Sequence, residues 1–170
     1  MFVCSTLVVV LACRNVNKSN EVRHHQFKTD VMLKSTPVKN QGRSSLCWAY
    51  AMLGTIESER LMMGDSVNMS VDYLARMLLK EQAREAFFAG GRKQVSLRGT
   101  ASMALRLLER YGMLHEDTYN GKQVNYNVLA RKVQLAASRS ASLQKMDGLV
   151  DEILDAEVGF MPRFVFFRHA

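Results

Sequence analysis

Proline is scarce in this sequence, two among 170 residues, and tryptophan scarcer still at one. So little proline, without periodic glycine, excludes a collagen-like chain, and the lack of low-complexity tracts excludes a mucin-like stalk or a wholly disordered polymer. Cysteine is thin as well, three residues in all. What is present is an ordinary apolar fraction, 48% hydrophobic residues in a length suited to one domain. A chain of that size buries about 68–70% of the surface it exposes when unfolded, so a core is within reach without disulfides.

Lys and Arg outnumber Asp and Glu by 23 to 16, for a net charge of +7. The basic residues are interleaved with acidic ones, and the densest group is Arg84, Arg92, Lys93 and Arg98. Nucleic-acid binding would need a basic stripe with aromatic side chains to stack on, and no motif of that kind occurs. The group reads as a solvated face in preference to an electrostatic site.

Residues 2–12 are almost wholly apolar and uncharged, and a polar stretch follows from Arg14 to Asn20. This run is shorter than the about 20 residues that span a bilayer and matches the apolar region of an export signal. Ala12-Cys13 resembles the lipobox of bacterial lipoproteins, which implies acylation at Cys13 and a membrane-anchored, exported bacterial protein of the periplasm or cell envelope. Simple leader cleavage and a buried strand through Val8, Val9 and Val10 are the other readings. The expected organisation is a leader over 1–13, a polar lead over 14–35 and a folded domain from 36.

With Cys4 and Cys13 in the leader, Cys47 is left without an intramolecular disulfide partner, as a buried small hydrophobe or a reactive thiol. A polar, turn-rich segment, 36–45, precedes it, and apolar residues then recur at helical spacing through Trp48, Ala51, Met52, Ile56 and Met63. Cys47 therefore falls in the first turn of a helix, where unpaired backbone N–H groups and the helix dipole favour an anion. Gln41 lies six residues earlier, on a loop turned by Gly42. Its amide is placed to donate a hydrogen bond to an oxyanion formed beside the thiol.

The segment Gln41-Gly42-Arg43-Ser44-Ser45-Leu46-Cys47-Trp48-Ala49-Tyr50-Ala51 resembles the nucleophile region of papain-like cysteine peptidases. Its lead-in, Val38-Lys39-Asn40-Gln41, is most similar to the aminopeptidase C and bleomycin hydrolase branch, which also lacks the disulfide cysteine that many secreted members place where Ser44 stands. Further similarities follow in the family's order at Thr55-Ile56-Glu57, at 69–74, at Gly99 and at 111–114, covering 36–119. The resemblance implies a Cys47 nucleophile, Gln41 in the oxyanion hole, Gly99 with its backbone along a peptide or protein substrate, and Trp48 shielding the site. It implies no cofactor, and no His, Cys or Asp cluster has metal-ligand spacing. Trp48 also reads as core packing, Gly99 as a loop glycine, and Glu57 as a buried structural carboxylate or a surface residue in preference to an acid catalyst.

Papain-type catalysis also needs an imidazole to move the proton and an Asn or Asp to orient it. In the family these lie about 130–150 residues beyond the cysteine, a distance that passes Ala170. Of the four histidines, His24 and His25 precede the motif, His115 follows the Gly112 turn, and His169-Ala170 echoes the family's His-Ala pair. The resemblance thus implies the N-terminal, mainly helical portion of an α+β papain-like fold, with the β-rich half supplied from elsewhere. Expected elements are a long central helix from about Ser45, a second capped by Ser70, and a third over 100–111 closed by Gly112. A surface loop is expected over 80–98, helix over 128–158 with a break at 139–142, and the opening of a strand at Phe164-Val165-Phe166-Phe167.

Two functions are implied: a cysteine-type peptidase whose base lies outside this chain, and a non-catalytic exported or surface-anchored binding protein built on the same scaffold.

Overall fold

The computed structural model describes residues 28–121 and 124–162. Cys4, Cys13, His24, His25, His169 and the apolar run 164–167 lie outside them. Residues 1–32 and 33–170 are separate units, and of the first only 28–32 are described, without helix or strand.

The second unit is built from α1 (Cys47–Met62), α2 (Val71–Phe88), α3 (Ala101–Tyr111), α4 (Tyr126–Arg139) and α5 (Leu143–Glu157). Among the described residues there is no sheet; strand-like pairing is limited to one isolated antiparallel bridge between Met69 and His115. The expected α+β papain-like fold is therefore corrected: the described unit is all-helical.

Four of the five helices start on a side-chain oxygen that accepts a backbone N–H three residues on: Ser70 from Tyr73, Thr100 from Met103, Asn125 from Val128 and Ser142 from Lys145. Each such cap contributes about 1 kcal/mol and sets where its helix begins. Helix α3 ends at Gly112, whose φ of 69° is a conformation that glycine adopts without a Cβ penalty. The break expected at 139–142 falls between α4 and α5, at Ser140 to Ser142.

The central helix is α2, which packs against all four others, and not α1, which touches only α2 and α3. This corrects the expectation that the cysteine helix would be the middle of the fold. Composition explains the difference. Along α2 both faces are buried, with Leu74, Leu78 and Leu79 nearly inaccessible, and each such side chain contributes about 1.5–3 kcal/mol. In α1 only Ala49, Leu53 and Glu57 are buried, a single stripe at four-residue spacing.

Polar residues of α2 are buried because other elements meet them. Arg76 donates to the Tyr119 hydroxyl and the Gly159 carbonyl and pairs with Asp151 and Asp155 of α5. Glu81 receives Arg106 and Arg110 of α3. The loop expected over 80–98 is also corrected, since α2 continues to Phe88 and the connection is confined to 89–100. Ala83 and Ala86 are fully buried there, and the Lys, Glu, Gln and Arg residues of 80–85 are good helix formers.

Candidate functional site

The lead-in to α1 is held by a buried carboxylate. Glu57, 1% exposed, receives the Thr36 hydroxyl, the Lys39 ammonium at 2.8 Å and the Met69 backbone N–H. Lys39 donates in addition to the Met69 carbonyl at 2.6 Å. These bonds fix residues 36–39 against α1, so the loop that follows starts from a rigid point. Glu57 is thereby a structural carboxylate.

The loop itself closes on its own polar groups. The Gln41 amide nitrogen donates to the Ser44 carbonyl at 2.8 Å, and the Ser44 hydroxyl donates back to the Gln41 carbonyl at 2.9 Å. Gly42 turns the chain with a φ of 60°, its N–H on the Asn40 side-chain oxygen. One of the two Gln41 amide hydrogens is thus engaged within the loop, and an oxyanion would have to use the other.

Cys47 is the first residue of α1, and its thiol is free and exposed. The residue before it, Leu46, is buried and offers no side-chain cap. Its carbonyl accepts from the N–H groups of Ala49 and Tyr50. The start of α1 therefore lacks the side-chain oxygen that closes each of the other four helices.

Trp48 and Gly99 are brought together. The indole N–H donates to the Leu97 carbonyl at 2.8 Å, and a Cβ built on Gly99 would lie 2.5 Å from Cε2 of the ring. The absence of a side chain at Gly99 is what lets the indole lie against the 97–99 backbone. His115, the one imidazole among the described residues, has Nδ1 3.3 Å from an Asp117 carboxylate oxygen and accepts there from the Asp117 N–H at 3.3 Å. The structure thus joins Trp48 to Gly99 and sets Cys47, the neighbour of Trp48 in sequence, at the surface, while the Gln41 amide faces its own loop.

Two cavities flank this loop, and Cys47 lines neither. One, of about 870 Å³, is bordered by Gln41, Gly42, Tyr50, Asp72, Glu116 and Tyr126. Asp72 is buried and accepts from the Tyr126 hydroxyl and, at 2.6 Å, from the Gly121 N–H. Burial, with Asp72 and Glu116 nearby, pushes the Tyr50 hydroxyl up to about 12. Burial likewise raises Glu116 above the usual carboxylate range, against the opposing pull of Lys39. The second cavity, of about 700 Å³, runs from Ser45 along 94–98 to α4. Sequence reading missed both, because their walls come from segments that are distant along the chain.

Among the described residues no group of three His, Cys, Asp or Glu side chains is arranged to hold a metal ion. No described helix is long and apolar enough to cross a membrane. The described domain is therefore an all-helical unit presenting a free cysteine at the open start of one helix. No protein-family model matches the chain, and no curated protein matches it either.

Proposed function

We propose that this chain carries the nucleophile of a cysteine-type peptidase acting on peptide or protein substrates. The observation that supports it is the placement of Cys47, exposed at the first position of a 16-residue helix that no side chain caps, behind the Gln41 loop. The Cys47 sulfur attacks the scissile carbonyl carbon, and the carbonyl oxygen takes the negative charge. The Cys47 backbone N–H and the second Gln41 amide hydrogen are the donors for that oxygen. Collapse expels the amine, which must pick up a proton, and leaves a thioester that water hydrolyses. His115 meets Asp117 through Nδ1 and makes no hydrogen bond or ion pair with Cys47 or its loop, so in this reading the proton-transferring imidazole comes from outside the described residues. Export, and anchoring through an acylated Cys13, belong to this proposal as sequence-based expectations.

The second reading is a non-catalytic binding protein, favoured by the Gln41 amide being engaged by Ser44. Acylation separates the two. The full chain is mixed with activated peptide esters, and the Cys47 peptide is followed by mass spectrometry. With imidazole supplied in solution in place of the missing base, the peptidase reading expects a transient acyl adduct on Cys47 that forms faster than on free cysteine under the same conditions and is absent in Cys47→Ser. Acylation no faster than that of free cysteine sinks it and leaves the binding reading.

A further inference from the structure

The cavity of about 700 Å³ that begins at Ser45 is a cleft between the extended segment 94–98 and α4. Ser45 is two residues from Cys47, a separation of at most about 7 Å along the chain. One wall is held rigid by side chains from three helices. The Val95 N–H is bound by the Gln134 amide oxygen, the Ser96 N–H by that of Gln82, and the Leu97 carbonyl by the Trp48 indole. A pre-ordered wall costs little to bind against.

The charge of this cleft is of one sign. Arg98 lines it from the 94–98 wall and Arg131 from α4, and among the described residues no carboxylate lines it. Other arginines and lysines of the unit are neutralised: Arg84 by Asp147, Lys93 by Glu85, Arg106 and Arg110 by Glu81, Lys132 by Glu157. Among the described residues neither Arg98 nor Arg131 makes an ion pair. Arg43 stands at the same end, its carbonyl receiving the Asn127 amide one helical turn before Arg131. Leu97, Ala130 and Leu135 give the lining apolar patches beside the uncharged Gln94, Ser96, Asn127 and Gln134.

We propose that this cleft is a subsite for an acidic side chain of the peptide substrate, its carboxylate held by Arg98 and Arg131 while the aliphatic part of the side chain lies on Leu97 and Ala130. Two guanidinium forks suit a carboxylate because each can offer a pair of parallel N–H donors. The role as a substrate subsite rests on Cys47 being the attacking group; the selectivity of the cleft for an acidic side chain does not. Both arginines are exposed, so each contributes about threefold to tenfold in affinity, and the effect weakens as salt rises.

The test uses the full chain and capped pentapeptides that differ at one position, Glu, Gln or Lys, with that position moved along the peptide. Binding to Cys47→Ser is read from the emission of Trp48, the single tryptophan, which is bonded to the cleft wall. The Glu peptide is expected to bind at least tenfold more tightly than the Gln peptide in one register, with the Lys peptide weakest. Arg98→Gln with Arg131→Gln should remove the preference without lowering the melting temperature. Equal binding of the Glu and Gln peptides in every register, or a preference that survives the double substitution, overturns the proposal. A parallel arm gives the same peptides a thiol-reactive aldehyde and follows capture by the unsubstituted chain. Capture at Cys47 with no dependence on peptide charge overturns the subsite and keeps the peptidase reading. Arginine-dependent binding with no capture at Cys47 overturns the peptidase reading and, with it, the role as a substrate subsite, and leaves an acidic-peptide cleft.

Discussion

Gly99→Ala would set a methyl group into the Trp48 indole. The added carbon would stand 2.5, 2.6 and 2.9 Å from Cε2, Cζ2 and Cδ2, where carbon atoms normally stop at about 3.5 Å. The ring has to move by about 1 Å, and in moving it loses the 2.8 Å hydrogen bond to the Leu97 carbonyl. Overpacking of this kind costs about 1–3 kcal/mol and a lost hydrogen bond about 0.5–1.5 kcal/mol, so the expected destabilisation is about 2–4 kcal/mol. Urea denaturation followed by circular dichroism measures it, with Trp48 emission as a local probe. In a Trp48→Phe background the smaller ring leaves room, and the same substitution should cost under about 0.5 kcal/mol. The reasoning fails if Gly99→Ala is neutral in the parent chain, or if its cost is undiminished beside Phe.

Glu57→Ala should destabilise the fold by about 3 kcal/mol, because it leaves the Thr36 hydroxyl and the Met69 N–H without their acceptor and removes the carboxylate partner of Lys39, which keeps only the Met69 carbonyl. A cycle with Lys39→Ala checks this: the double variant should cost clearly less than the sum of the singles. Burial pushes Glu81 up, but the hydrogen bonds from Arg106 and Tyr111 and the charges of Arg106 and Arg110 outweigh it, and its carboxyl sits below the usual range. A depressed folded value means that its contribution is present above the unfolded value of about 4.3 and is lost as pH falls through the folded value. Glu81→Gln should therefore be less stable than the parent at pH 7 and nearly equal to it once Glu81 is protonated in both states; a difference that stays constant into acid would contradict this.

Helix starts were readable from the residues because capping is local chemistry. Ser70 and Thr100, with Gly112 closing α3, have their partners within a few positions, so a short window holds all the information. The same holds for Cys47 at the head of α1, where a polar turn meets an apolar helical stripe. Local pattern was a poorer guide to rank among the helices. Nothing in the spacing of α1 says that it lies at the margin, or that α2 occupies the middle.

The reason is that a polar residue looks alike in sequence whether water or a distant ion partner surrounds it. Nothing in the order of residues marks Arg76, Glu81 and Asp72 as buried, and 80–98 reads there as a surface loop. They are buried because Asp155, Arg106 and Tyr126 arrive from far along the chain. Arg84, Arg92, Lys93 and Arg98 appeared as one basic group, and the fold separates them, pairing Arg84 and Lys93 and leaving Arg98 on a cleft. Residue order along the chain was enough to mark a thiol and place it at a helix start, since both depend on near neighbours. Which charges stay free beside that thiol was decided only when α4 and the 94–98 segment packed together, because pairing depends on distance in space.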